Sequence, residues 1–180
     1  MTTRLVVDAS VAVKWLVAEE HSATAKRLIG GPYELHAPRL LASEVANALW
    51  RKARLDEIDR HTAGSIAEAI PETPLRWSED EQVTAQATRL ALALDRPVYD
   101  CVYLALAQRI RCRLVTADAR FARALAPTEH GGTVVMLTDL VTAEEDSSES
   151  PAEVPPDAGS APADHDGTSG SPAEADADAL

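Results

Sequence analysis

The chain has 180 residues, 46% of them hydrophobic, which suffices for one folded core plus an appendage and leaves little room for a second large domain. A net charge of −12 argues at first against a nucleic-acid partner, but residues 144–180 hold eleven Asp or Glu and neither Lys nor Arg. Removing those eleven from the 29 acids leaves 18 against 17 bases, so residues 1–143 are nearly neutral and the exclusion does not apply to them.

Residues 5–8 (LVVD) read as a short buried strand, too short and too β-branched for a helix. Ser10 suits the N-cap of a helix over 11–17. A second helix, 22–29, stops at Gly30-Gly31-Pro32, and residues 34–37 form a brief strand. Pro38 is expected to open the longest helix, to about Arg54, since proline is tolerated in a first turn. A further helix spans 60–70, and 75–77 is a candidate strand. Ser78-Glu79-Asp80-Glu81 has the S-x-x-E pattern of a capping box and opens a helix to about Leu94. Asp100 begins an alanine- and leucine-rich helix to Ile110, residues 114–116 form a strand, 119–125 a short helix and 133–137 (TVVML) a last strand. Strands alternating with helices predict an α/β fold with a mostly parallel sheet covered on both faces.

From residue 144 the chain is mostly Ala, Asp, Glu, Pro, Ser and Gly, with no Phe, Trp or Tyr. Such a stretch buries too little apolar surface to offset its ordering entropy, so 1–143 is expected to be the domain and 144–180 a disordered acidic tail. No apolar run approaches the roughly 20 residues of a membrane span, and no secretory leader is recognisable. Cys101 and Cys112 are too few for a disulfide framework and read as free thiols. A soluble cytoplasmic protein is expected.

Four acids stand out. Ligands of a doubly wound sheet bind beyond the carboxyl ends of its strands. Asp8 and Asp118 each follow a strand, and Asp100 starts a helix whose first turn can face the same edge. Glu44 lies inside the long helix among Leu40, Leu41, Val45 and Ala48, sharing a face with Asn47 and Arg51. Each has a plainer explanation: Asp8 or Ser10 and Asp118 as helix caps, Asp100 as a charge on its own helix dipole, Glu44 as a solvated side chain. Capping does not account for Glu44, and it does not require the four neighbourhoods to occur together. Converging carboxylates repel unless a cation neutralises them, and all-oxygen ligands suit Mg²⁺ or Mn²⁺.

The segments VVDASVAVKWLV, LLASEVANALWR, VYDCVYLALA and LVTADARF resemble the four acidic motifs of PIN-domain nucleases, specifically the VapC-type toxins of bacterial toxin–antitoxin pairs. The likeness spans nearly all of residues 4–140. It implies a three-layer α/β/α sandwich, Mg²⁺- or Mn²⁺-dependent endoribonuclease activity, homodimerisation and inhibition by a cognate antitoxin. Carried over by position, Asp8, Glu44, Asp100 and Asp118 become the catalytic and metal-binding quartet, with Ser10 and Thr116 as nearby hydroxyls. The acidic extension is no part of that pattern.

Other features weigh less. Arg51 is the best phosphate contact because it shares a face with Glu44; the remaining arginines suit solvated helix faces equally well. Among Trp15, Trp50, Trp77, Tyr99 and Phe121, which could stack bases, most are expected in the core. The five histidines lack a paired zinc spacing. There is no phosphate-binding G-x-x-x-x-G-K-[ST] loop and no G-x-G-x-x-G turn. Asp8 also lacks the acid two residues on that a haloacid-dehalogenase phosphatase needs. The alternative from another class is a catalytically inert PIN-like module that binds RNA or protein in the same groove.

Overall fold

The computed structural model describes residues 2–79 and 81–140. The expected tail, 144–180, and Asp80 of the capping box lie outside the described residues. Five strands, β1 (Thr3–Val7), β2 (Tyr33–Pro38), β3 (Arg76–Ser78), β4 (Arg113–Thr116) and β5 (Val134–Met136), form one sheet in the order β3-β2-β1-β4-β5. Every neighbouring pair is parallel. The α-helices are α1 (Ala9–Leu16), α2 (Ser22–Gly30), α3 (Leu40–Arg54), α4 (Arg60–Glu68), α5 (Glu81–Leu94), α6 (Val98–Ile110) and α7 (Ala119–Leu125).

The chain leaves β1 towards β2 and β3, then returns past β1 to β4 and β5. Right-handed crossovers therefore put α1–α4 on one face and α5–α7 on the other. The reversal falls between β1 and β4, the topological switch point of the sheet. The last three residues of each of these strands are buried, as expected of strands covered on both faces. α6 is apolar almost all round, with Cys101 through Ala107 buried, because it lies between the sheet and α5.

Several boundaries differ from the sequence reading, each for a local or a tertiary reason. α1 starts at Ala9, not Val11, because the Asp8 carboxylate accepts from the Ser10 N–H and is itself the N-cap. Pro38 ends β2 instead of opening α3: it is in register with Ser78 of β3, and the Arg39 N–H donates to the Ser78 carbonyl at 3.0 Å. α6 begins at Val98, so Asp100 sits in its first turn. β5 is three residues long, and residues 137–140 coil into one helical turn that buries Leu137 and Leu140.

One ion-pair cluster ties the layer that carries Glu44 together. Glu19, after α1, takes Lys14 at 2.8 Å through Oε1 and Lys52 of α3 at 2.9 Å through Oε2, and Lys52 also reaches Glu57 at 2.9 Å. This fixes α3 against α1. Both Cys101 and Cys112 are free thiols, Cys101 fully buried with its pKa pushed up to about 11 by burial and the Asp100 charge. It is a packing residue rather than a nucleophile. Among the described residues no helix is long and apolar enough to cross a membrane.

Candidate active site

The parallel register of β1 and β4, with Val7 opposite Val115, sets Asp8 beside Thr116 at the carboxyl edge. Thr116 is the one fully buried polar side chain among the described residues. Its hydroxyl donates to Asp8 Oδ2 and accepts from the Asp118 N–H at 3.0 Å, so a single Thr fixes both strand-end acids. Ser10 adds a second hydroxyl to Asp8 Oδ2 at 2.9 Å and accepts from the Ala117 N–H at 2.9 Å. Ser10 and Thr116 are thus braces of Asp8 in this arrangement.

Asp118 caps α7, its Oδ1 accepting from the Arg120 and Phe121 N–H groups at 2.8 and 3.1 Å. Both bonds fall on one oxygen, which leaves Oδ2 for another partner. The capping reading and the cleft reading of Asp8 and Asp118 therefore coexist: each acid is a cap and also lines the cleft. Glu44 reaches the same place from α3. Its Oε2 accepts the phenol of Tyr103, a buried residue three positions after Asp100 on α6.

All four acids line one cleft of about 260 Å³, together with Ser10, Asn47, Arg51 and Tyr103. Thr116 lies behind them. Burial is the main force raising the Asp8 pKa, opposed by the Thr116 and Ser10 hydrogen bonds and reinforced by the Asp118 charge. Asp100 is raised by burial and then by the charges of Asp8 and Asp118, while Arg96 pulls it down. The Asp118 charge therefore works against ionisation of both Asp8 and Asp100, and the Asp8 charge against that of Asp100.

Among the described residues no three His, Cys, Asp or Glu side chains form a ready-made metal cage. Asp8, Glu44 and Asp118 are each held by protein donors instead. The donor set nevertheless fits a hard divalent cation: it is all oxygen, and mutual carboxylate repulsion is what such an ion relieves.

The sequence reading missed Tyr103. A tyrosine inside an apolar helix reads as core, and the available signal was its i+3 offset from Asp100, which puts both on one face. It also missed Arg96, in the turn between α5 and α6, whose side chain acts on Asp100 from outside the cleft lining. Of the five aromatics considered for stacking, Trp15 and Phe121 are buried and Trp77 is partly so, whereas Trp50 and Tyr99 are exposed.

Residues 5–125 match the family model for the PIN domain. The chain is 38% identical over 121 residues to Ribonuclease VapC3 of Pyrobaculum aerophilum, covering 66% of this chain and 92% of that protein. It is 33% identical over 119 residues to Ribonuclease VapC9 of Mycobacterium tuberculosis, covering 66% and 88%. A crystal structure from Pyrobaculum aerophilum superposes with a TM-score of 0.60 at 23% identity, over 81% of this chain and 92% of that one, which supports the same fold. The chain belongs to the PIN-domain family, in its VapC group.

Proposed function

We propose that this protein is a divalent-metal-dependent endoribonuclease that hydrolyses RNA phosphodiester bonds, the cytoplasmic toxin of a toxin–antitoxin module, acting as a homodimer and silenced by a cognate antitoxin. The observation that carries the catalytic part is the meeting of Asp8, Glu44, Asp100 and Asp118, from four separate stretches of chain, in one cleft at the switch point of the sheet. The VapC ribonucleases of similar sequence support RNA as the substrate class, and the antitoxin follows from the resemblance to VapC-type toxins.

In this reading the four carboxylates hold Mg²⁺, with Mn²⁺ as a substitute. A bound ion of that kind supplies Lewis-acid neutralisation at the phosphodiester and makes a water more acidic. The chain's own residues do the positioning. Thr116 and Ser10 keep the Asp8 carboxylate turned to the cleft, Tyr103 does the same for Glu44, and Asn47 and Arg51 offer a hydrogen bond and a positive charge to a backbone phosphate. The cleft is walled by Val13, Ala48 and Phe121, which lower the local dielectric and strengthen these interactions.

Metal removal tests this directly. Chelated protein is expected to leave a mixed RNA pool intact, and readdition of Mg²⁺ or Mn²⁺ to restore cleavage. Cleavage that persists in excess chelator, or none under any metal, overturns the reading; binding without cleavage points to the inert module.

Tyr103→Phe gives a finer prediction. It deletes one hydroxyl that bonds a carboxylate, a contact of the kind that costs a metal site about 10–100-fold in affinity or activity when lost. The variant is expected to fold normally by circular dichroism, cleave within that range below wild type and need more Mn²⁺ for half-maximal rate. Wild-type metal dependence would reduce Tyr103 to a packing residue.

A further inference from the structure

α3 carries the cleft on one side and a second cavity on the other. Glu44, Asn47 and Arg51 share the cleft face, and Trp50 and Arg54 form the adjoining stripe. Beyond that stripe lies a groove of about 450 Å³ between α3 and α4, walled by Trp50, Arg54 and Arg60 over small residues such as Ala46, Ala53 and Gly64. Trp50 is 55% exposed, an unusual position for an indole in a chain with three tryptophans. The Arg54 guanidinium sits 5.5 Å from the centroid of its ring, so a cation is already stacked against it.

The lining of the groove carries charge of one sign: among the described residues no carboxylate lines it, although Asp56, Glu57 and Asp59 lie in the connection between α3 and α4. Lys14, Lys52, Arg39 and Arg76 are all paired with glutamates, whereas among the described residues Arg51, Arg54 and Arg60 are in no ion pair. Three guanidinium groups outside any ion pair thus run from Arg51 in the carboxylate cleft to Arg54 beside Trp50 and Arg60 in the groove. Cations spaced along a path with an exposed aromatic face between them complement a single-stranded polyanion whose bases are free to stack. Small floor residues leave room for a flat ring.

We propose that the α3–α4 groove is a nucleotide-binding extension of the active cleft, in which an RNA strand leaving the carboxylates stacks one base on Trp50 and rests its phosphates on Arg54 and Arg60. This rests on the ribonuclease reading above. A protein helix is the other class of occupant, and it would have no need of the continuity with Arg51.

The test uses the full chain, a single-stranded 12-nucleotide RNA and a dinucleotide too short to span cleft and groove. Trp50→Ala is expected to raise KM for the 12-mer about 10-fold or more, in the range of a lost stacking contact, and to leave dinucleotide cleavage unchanged. Trp50→Phe, which keeps an aromatic face, is expected to recover most of the loss. Arg54→Ala and Arg60→Ala are each expected to lower the salt slope of 12-mer binding by about 0.7. If wild type cleaves both substrates and Trp50→Ala leaves the 12-mer KM and the salt slopes of the arginine variants unmoved, the groove proposal alone falls and the groove is left to a protein partner. If wild type neither binds nor cleaves either RNA, both readings fall.

Discussion

Asp8→Asn is expected to reduce RNA cleavage by at least about 100-fold, the upper end for losing a partner outside the ligand shell, while raising the melting temperature of metal-free protein at pH 7. The two effects share a cause. The Asp8 pKa is raised mainly by burial, with the Asp118 charge adding to it against the Thr116 and Ser10 hydrogen bonds. An acid whose folded pKa lies above its unfolded value favours the fold only when protonated. That contribution is complete below the unfolded value, about 3.9, and is lost as pH rises through the folded one. At neutral pH the carboxylate therefore opposes folding, and the amide removes the penalty. Asparagine keeps the size and the N-cap, and the Ser10 and Thr116 hydroxyls can rotate to suit an amide. Each kcal/mol relieved is worth about 2–4 °C in a chain of this size.

Thermal melts at several pH values check this. The variant's advantage should shrink towards pH 4 and reverse when Mg²⁺ or Mn²⁺ is present, because a ligand that binds only the folded wild type stabilises it by mass action. Undiminished cleavage by Asp8→Asn would remove Asp8 from the catalytic set. A variant less stable than wild type at pH 7 without divalent ions would show that the carboxylate is not under strain.

Leu104→Ala is expected to cost about 2–5 kcal/mol, out of the roughly 5–15 kcal/mol that holds a domain folded. Leu104 is fully buried in α6, which packs against β1, β2, β4 and α5, so deleting three carbons leaves a void with neighbours on every side. The melting temperature should fall on the order of 10 °C. Cleavage should fall too, at temperatures below the new transition, because the same helix carries Asp100 in its first turn and Tyr103 next to Leu104. Leu92→Ala on α5, where the side chain is 81% exposed, is the control and should stay within about 0.5 kcal/mol of wild type. A Leu104→Ala melt indistinguishable from that control would mean the core around α6 can collapse to fill the space.

The positions of the four acids were legible because each belongs to a local pattern: an acid after a buried strand, an acid in the first turn of an apolar helix, a glutamate out of place on a core-facing one. Tyr103 was not legible as a site residue, since its hydroxyl finds its role only against Glu44, 59 positions away in sequence. Pro38 misled for a related reason. Its local preference for a helix start is real, but pairing with β3 captures it, and a ladder between distant strands outweighs a weak positional bias. Most of the five aromatics belong to the core as expected, but hydrophobicity alone could not single out Trp50 and Tyr99 as the exposed ones, because it cannot say which side of an amphipathic helix has a neighbour.

Taken alone, the sequence determined the alternation of strands and helices, the nearly neutral domain ahead of an acidic extension, and the four acidic motifs in their order. These are properties of short windows, governed by periodicity, capping and composition. Strand order, register and the meeting of the acids were decided by tertiary structure. Thr116 lies 108 residues from Asp8, and only the parallel pairing of β4 beside β1 turns its hydroxyl into a brace for that carboxylate. Contacts over such separations depend on how layers of the fold bury their apolar faces against one another, which no local window of residues encodes.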